Sequence, residues 1–439
     1  MARSLAHAAL SACALALAIA PPPIGRALGA APIFSAPQDM PSTYPITLVR
    51  AAQLRPSDDI RVLTLHPAEQ RAGVLQLDVG GDFIVQSSLW STGPSPKGMV
   101  VCDVDADLLV DLLIANTSTG RLAILKQTAA GGFSLSVTAP VASGPIDVAA
   151  ADIDGDGDPD AALADYTTNR IIILRNSGSG VFTVSQSIAV PQGPTALEFA
   201  DVTGDGRPDL AVACQLADRA AILVNSGTGS FSLAASIPTG ARPRSVCAAD
   251  FDVDGLIDLV FANSNSGNLT VIRSAPGPSF AVVATLPCGV QPGSLVARDV
   301  TLDGRSDILA ANLGENAIAA FEAGPDFAFT RTIIPIAFHP TTLAVADLTS
   351  DSKPDLIVGR SDPPQLVVLT NAVTGVVSVC PGDLNGDLYV NAADFTILAA
   401  SFGQKLGAPL PGDINRDGRV DVLDFVILAA NFQHVCGDS

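Results

Sequence analysis

An acidic nine-residue stretch returns on a fixed beat through most of the chain, and no other feature limits the fold as much. Its clearest copy is Asp152-Ile153-Asp154-Gly155-Asp156-Gly157-Asp158-Pro159-Asp160. Copies begin at Asp103, Asp152, Asp201, Asp250, Asp299 and Asp347, at spacings of 49, 49, 49, 49 and 48 residues. Pro96, Pro145, Pro194, Pro243, Pro292 and Pro340 keep the same interval, as do Phe133, Phe182, Phe231, Phe280 and Phe329. Three residue types on one period define an internal repeat, and a period of this size belongs to a propeller or an array rather than to a single-core globule.

Each unit reads alike. The Pro opens an apolar strand, as in 146–151, and the acidic stretch follows as a loop. A second strand starts at the last Asp of the loop (209–214), and a polar turn leads to a third (171–174 or 221–224). A Gly/Ser-rich turn then leads to a fourth strand that begins at the Phe (182–185). Four short strands without a helical period make one propeller blade. Upstream, 60–65, 73–77 and 82–85 match the second to fourth strands of a blade without the acidic loop. Its first strand is either 46–49 or a segment lent from 376–379, which would close the ring and remove its free edges. The expected fold class is thus an all-β propeller over 40–379 with seven blades, six or eight being the alternatives.

The loop chemistry points to a hard cation. Carboxylates at positions 1, 3, 5 and 9 curl oxygens around one point, which suits Ca²⁺ with its six to eight oxygen ligands. Gly at position 6 permits the turn. Four-Asp loops are Asp103, Asp105, Asp107, Asp111; Asp152, Asp154, Asp156, Asp160; and Asp250, Asp252, Asp254, Asp258. The first of these has Leu108 in the Gly position. Three loops place Thr at position 3: Asp201, Thr203, Asp205, Asp209; Asp299, Thr301, Asp303, Asp307; and Asp347, Thr349, Asp351, Asp355. Fewer charged ligands predict weaker binding there.

This pattern between two strands, followed by a Gly-Phe-like turn, resembles the FG-GAP/VCBS repeats of integrin-α-type propellers. The resemblance implies a seven-bladed ring with calcium in several loops, held by positions 1, 3, 5 and 9 and the carbonyl of position 7. It speaks weakly for function, since such propellers serve adhesion, assembly and accessory roles.

Residues 380–436 form a different module. Two twelve-residue acidic loops each run into a segment with one apolar face, Phe395, Leu398, Phe402 and Phe425, Leu428, Phe432. The loop side chains are Asp383, Asn385, Asp387, Asn391, Asp394 and Asp413, Asn415, Asp417, Asp421, Asp424. The duplicated loop-helix resembles a dockerin of the type I, EF-hand-like kind. That implies a small all-α calcium-loop domain and a cohesin-like extracellular partner. Positions 10 and 11, commonly Ser-Thr in the best-known class, are Ala392-Ala393 and Val422-Leu423. Cys380 and Cys436 bracket the module, and a disulfide between them is expected.

Composition fits this organisation. Of 44 acidic residues only Glu69, Glu198, Glu315 and Glu322 are Glu, and Asp favours turns and ligand loops. The net charge of −20 disfavours nucleic acid. Up to eight Ca²⁺, six in the repeats and two in the tail, would offset much of that charge. Residues 1–31 read as a secretory signal: Arg3, an apolar run over 5–20 and small Gly29, Ala30 and Ala31. The run is short for a bilayer span, and no second one follows. Apart from Cys13, six Cys remain, an even number compatible with an oxidising compartment.

Catalytic groups are scarce. His66, His339 and His434 lie in no triad or metal spacing, and Trp90 reads as packing just before a blade. The leading reading is a secreted or cell-surface calcium-binding, non-catalytic protein. Its propeller face would meet a protein or glycan, and its tail would dock to another protein. An enzyme or accessory subunit of polysaccharide breakdown, known to be associated with dockerins, is the alternative. A surface adhesin is the third reading, though no Arg-Gly-Asp and no C-terminal anchor run accompany it.

Overall fold

In the computed structural model the described residues are 34, 38–41, 44–55, 60–77, 83–349, 351–361 and 363–372. They form seven four-stranded antiparallel sheets, the blades of a closed ring. Blade 3 is representative. Its strands are Pro145–Ala151, Asp160–Asp165, Arg170–Asn176 and Phe182–Ala189, each paired with the next. Blades 1, 2, 4, 5 and 6 span 48–91, 96–137, 194–238, 243–287 and 292–335, and blade 7 is built on 342–369. The first strands of blades 2 to 6 begin at the repeat's Pro and that of blade 7 two residues after it, at Thr342, and the repeat strands end within a few residues of their sequence expectation.

Burial follows strand rank. The second strands of blades 2 to 6 are buried along their whole length, for example Asp209–Cys214. They read as near-continuous apolar runs because a neighbouring sheet covers each face. Fourth strands such as Phe231–Pro238 are mostly open beyond their first residue. The core is therefore seven interblade cores rather than one. Between blades 3 and 4, Ile171, Ile173, Phe199, Leu210, Val212 and Phe231 pack together. Between blades 7 and 1, Ile46, Val49, Val62, Ile357, Leu366 and Val368 close the ring.

The innermost strands are stapled to one another. Leu197 N–H donates to Asp147 Oδ2 at 2.9 Å, Leu295 N–H to Ser245 Oγ at 3.2 Å and Leu343 N–H to Ser294 Oγ at 3.1 Å. Val49 N–H donates to Thr342 Oγ1 at 3.3 Å across the closing joint. Gly98 makes the approach of blades 2 and 3 feasible, since a Cβ there would lie 2.6 Å from the Asp147 Cα.

The first sequence option, a first strand for blade 1 near 46–49, is close to what the structure has, but the ring is closed by a segment that neither option named. Blade 1 has its own first strand, Leu48–Gln53. The shared strand is Gln38–Pro41, which supplies the outermost strand of blade 7, with Gln38 opposite Val368 and Pro41 opposite Gln365. A bridge between Phe34 and Asn371 extends the seam. A second correction concerns Trp90. It lies within the fourth strand of blade 1, Phe83–Ser91, and packs edge-on against Phe133 of blade 2 with centroids 5.0 Å apart. Cys102, Cys214, Cys247 and Cys288 are free. Burial pushes the Cys214 and Cys288 thiols up to about 12, so they behave as apolar core groups. The leader (1–31), the segment 376–379 and the whole 380–436 module, with its loop ligands and Cys380 and Cys436, lie outside the described residues.

Candidate metal centres

The six acidic loops join the first and second strands of blades 2 to 7. In five of them, those at Asp103, Asp152, Asp201, Asp250 and Asp347, the first Asp gathers the loop's own amides. Asp152 Oδ1 accepts from Gly155 N–H at 2.8 Å and Oδ2 from Gly157 N–H at 2.9 Å. Asp201 does the same with Gly204 and Gly206 at 2.8 and 2.6 Å. Asp103, Asp250 and Asp347 likewise hold Leu108, Gly255 and Ser352. The Asp at position 5 accepts from the amide of position 7, as Asp107 does from Leu109 and Asp351 from Lys353. The position-5 contacts are Asx turns, and with the longer-range bonds of the first Asp they order the loop before any ligand arrives.

Position 6 lies at positive φ in every described copy, as the sequence requires: 92° at Gly157, 69° at Leu108 and 64° at Ser352. Position 4 does so as well, at Gly155, Gly204, Ala106, Val253 and Leu302. The β-branched Val253 at 61° is strained there.

Position 9 has a second role that sequence reasoning missed. These carboxylates are buried at the start of the second strand. One oxygen accepts the amide sixteen residues on, at the end of the blade's third strand. Asp111 takes Gln127 N–H at 2.7 Å, Asp160 takes Asn176 at 2.7 Å and Asp209 takes Asn225 at 2.9 Å. Asp258, Asp307 and Asp355 hold Ser274, Ala323 and Asn371 in the same way. This latch ties the loop to the sheet. Asn176, Asn225 and Asn371 then reach across to the preceding blade's loop, donating to the carbonyls of Val104, Ile153 and Val300 at 2.8, 2.8 and 2.9 Å. Burial pushes the carboxyls of Asp111, Asp258 and Asp307 up to about 7, and those of Asp160 and Asp209 to about 6. Backbone donors oppose that rise, and neighbouring loop carboxylates add to it.

The donor set fits a hard cation in three loops. Asp103, Asp105 and Asp111 each bring an oxygen within 4.8 Å of the others, as do Asp152, Asp154 and Asp156, and Asp250, Asp252 and Asp254. Asp105 Oδ1, Asp160 Oδ2 and Asp252 Oδ1 are buried with no hydrogen-bond partner, and orphaned buried oxygens are costly unless something binds them. The Thr loops, with Asp205, Asp303 and Thr349 among their expected ligands, form no such grouping among the described residues.

A further set of residues keeps the repeat's beat. Lys126 Nζ lies 3.1 Å from Asp105 Oδ2, and Arg273 Nη2 lies 2.9 Å from Asp252 Oδ2 and 2.8 Å from Asp254 Oδ2. Arg175 pairs with Asp154 and lies 4.0 Å from Asp160 Oδ2. Each base also touches the next blade: Lys126 donates to the Ser179 carbonyl, Arg175 to the Thr228 carbonyl, and Arg273 stacks over Phe327 at 5.9 Å. Each stands 23 residues after its loop's first Asp, a signal open to anyone who extends the repeat alignment to basic residues.

Comparison with known proteins agrees with this architecture. The FG-GAP-like repeat model matches residues 103–163, 152–212, 205–261 and 299–358, and the Dockerin type I domain model matches 381–433. No curated protein matches the chain. Among solved structures, BBS1N in complex with ARL6DN is similar with a TM-score of 0.58 at 13% identity, covering 78% of this chain and 98% of that one. Hydrazine synthase from Kuenenia stuttgartiensis is similar at 0.54 and 12%, covering 76% and 98%. A putative 6-phosphogluconolactonase from Bacteroides uniformis is similar at 0.52 and 16%, covering 66% and 86%. At these identities the likeness concerns the fold alone. Among the described residues no helix is long and apolar enough to cross a membrane.

Proposed function

We propose that this chain, a seven-bladed propeller of FG-GAP-like repeats joined to a C-terminal Dockerin type I domain, is an extracellular docking protein whose propeller is the cargo. The observation that carries this is the joining of the two modules in one chain. Dockerin domains bind cohesin partners and calcium, so the tail would tether the propeller to a cohesin-bearing protein. Ala392-Ala393 and Val422-Leu423 at the partner-reading positions favour a cohesin with an apolar contact surface. The reading includes export directed by residues 1–31.

In the propeller, calcium would serve architecture. Its ligands would be the Asp triads of the loops at Asp103, Asp152 and Asp250, where converging oxygens and orphaned carboxylates support it. A bound ion would offset the negative charge that the single base beside each loop leaves unbalanced, and would fix the connection between first and second strands. The propeller would present a binding face to a protein or an extracellular glycan and be non-catalytic. Supporting that, the prominent Asp residues are engaged in loop amide bonds, Asx turns, latches and ion pairs.

The test is co-sedimentation of the mature chain with cohesin domains of several classes, in calcium and in chelator. Calcium-dependent capture by at least one cohesin, lost on deletion of 380–436, is the expected result. Capture that survives the deletion would sink the docking role of the tail. Sugar release from a polysaccharide panel would sink the non-catalytic role of the propeller.

A further inference from the structure

Positions 3 and 24 of the repeat, counted from the first Asp of each loop, vary together. Where position 3 is Asp105, Asp154 or Asp252, position 24 is Lys126, Arg175 or Arg273. Where position 3 is Thr203, Thr301 or Thr349, position 24 is Val224, Glu322 or Thr370. All six loops obey the rule, and the structure gives it a physical cause.

In the Asp class, one oxygen of the position-3 carboxylate meets the base and the other does not. Asp252 Oδ2 pairs with Arg273 while Oδ1 is buried and unpartnered, on a side chain only 8% exposed. Asp105 divides its oxygens the same way between Lys126 and nothing. In blade 3 the orphan is Asp160 Oδ2, on a side chain 1% exposed. The base anchors the carboxylate, holds the adjoining blade, and leaves one oxygen facing the loop.

In the Thr class that demand is met from within. Thr203 Oγ1 donates to Asp209 Oδ2 at 3.0 Å, Thr301 Oγ1 to Asp307 Oδ2 at 3.0 Å and Thr349 Oγ1 to Asp355 Oδ2 at 3.4 Å. The hydroxyl fills the lone pair that an ion would otherwise take. No buried carboxylate oxygen of these loops is without a hydrogen-bond partner among the described residues. With position 3 neutral, a base at position 24 would lose the carboxylate it meets in all three Asp-class loops.

We propose that this pair of positions sorts the loops into two kinds: those at Asp103, Asp152 and Asp250 close around calcium, and those at Asp201, Asp299 and Asp347 close without it. The inference rests on the calcium reading of the propeller in those three loops, and adds the pair of positions that decides which loops take an ion and why the other three do not. The two kinds alternate unevenly, in blades 2, 3 and 5 against 4, 6 and 7. The calcium-bound loops are also those whose base clasps the following blade, so occupancy is tied to interblade contact at those joints.

Calcium per mature chain, by elemental analysis after dialysis at micromolar free Ca²⁺, tests this with matched variants. Asp152→Asn with Asp156→Asn should lower the count by one ion. Asp201→Asn with Asp205→Asn, the same change in the next blade, should leave it unchanged. The dockerin ions contribute equally to both and drop out of the difference. Loss of one ion from each variant would overturn the sorting and leave the calcium reading standing. Loss from neither would overturn the calcium reading itself, and the inference with it. A gain variant covers misfolding of the Asn variants: Thr203→Asp with Val224→Arg should add one ion. An unchanged count in a folded gain variant would overturn the pair as the determinant.

Discussion

The loops of blades 3 and 4 differ at few positions and are held in two different ways. Both gather their first amides on the leading Asp, and both latch a buried Asp to the end of the third strand. At position 3 they part. Asp154 faces Arg175 and leaves Asp160 Oδ2 without a hydrogen bond, whereas Thr203 bonds Asp209 directly. The lesson is that the scaffold and the charge requirement of such a loop are separable. The latch belongs to the fold, and the third position decides whether a cation is needed.

The comparison can be broken first at the shared latch, where the largest effect is expected. Asp160→Ala and Asp209→Ala each leave a buried amide without its acceptor, and each should cost about 3 kcal/mol, read from urea midpoints. A much smaller cost in one blade would show that the two loops differ at their base as well.

Chelation should divide what the latch unites. A site held at a hundredfold over its Kd gains about 2.7 kcal/mol. The amides of Gly155 and Gly157 should therefore exchange about a hundredfold faster in chelator, and those of Gly204 and Gly206 at an unchanged rate, by hydrogen-exchange mass spectrometry. Equal acceleration of both would erase the contrast.

Thr203→Val strips the hydroxyl from blade 4 and should cost about 1 kcal/mol in calcium and in chelator alike. Thr203→Ser should restore most of it. A cost that appears only in calcium would mean the hydroxyl serves an ion after all. The smallest effect lies at position 4, where both compared loops have Gly. Val253→Gly in blade 5 relieves a β-branched residue at positive φ and should raise stability by about 0.5–1 kcal/mol, seen as a higher melting temperature. Gly204→Ala should do the reverse, because it would put a Cβ on a residue held at a φ of 73°.

Much of the blade was legible because the repeat reports itself six times over. A Pro, an acidic loop and a Phe at fixed offsets mark where strands begin, and wholly buried second strands cannot hide their apolar runs. Tightly local features were legible too, such as the positive φ of Gly157. The rest depends on partners distant in sequence. Gln38–Pro41 has no strong strand pattern, and only Val368 and its neighbours, more than 300 residues on, make it one. The latch could not be read from Asp160 alone, because its acceptor role is set by Asn176 across a hairpin. Arg175 was in plain view on the same beat. It was missed because acidic ligands, rather than the bases opposite them, guided the reading. Val253 was missed because a β-branched residue gives no local sign of a left-handed turn.

The seam between Gln38–Pro41 and Pro364–Leu369 also sets an order of events. On a ribosome the first of these strands is made early and its partner only after the other blades exist. Six sheets can form from hairpins as they emerge, each closing short loops. The seventh must wait for two distant segments to meet, which costs loop entropy and slows the step. Until then the outer edge of blade 7 stands open as a template for another chain. The ring is thus a clasp whose two halves are delivered at opposite ends of the propeller's own synthesis, before the C-terminal module follows.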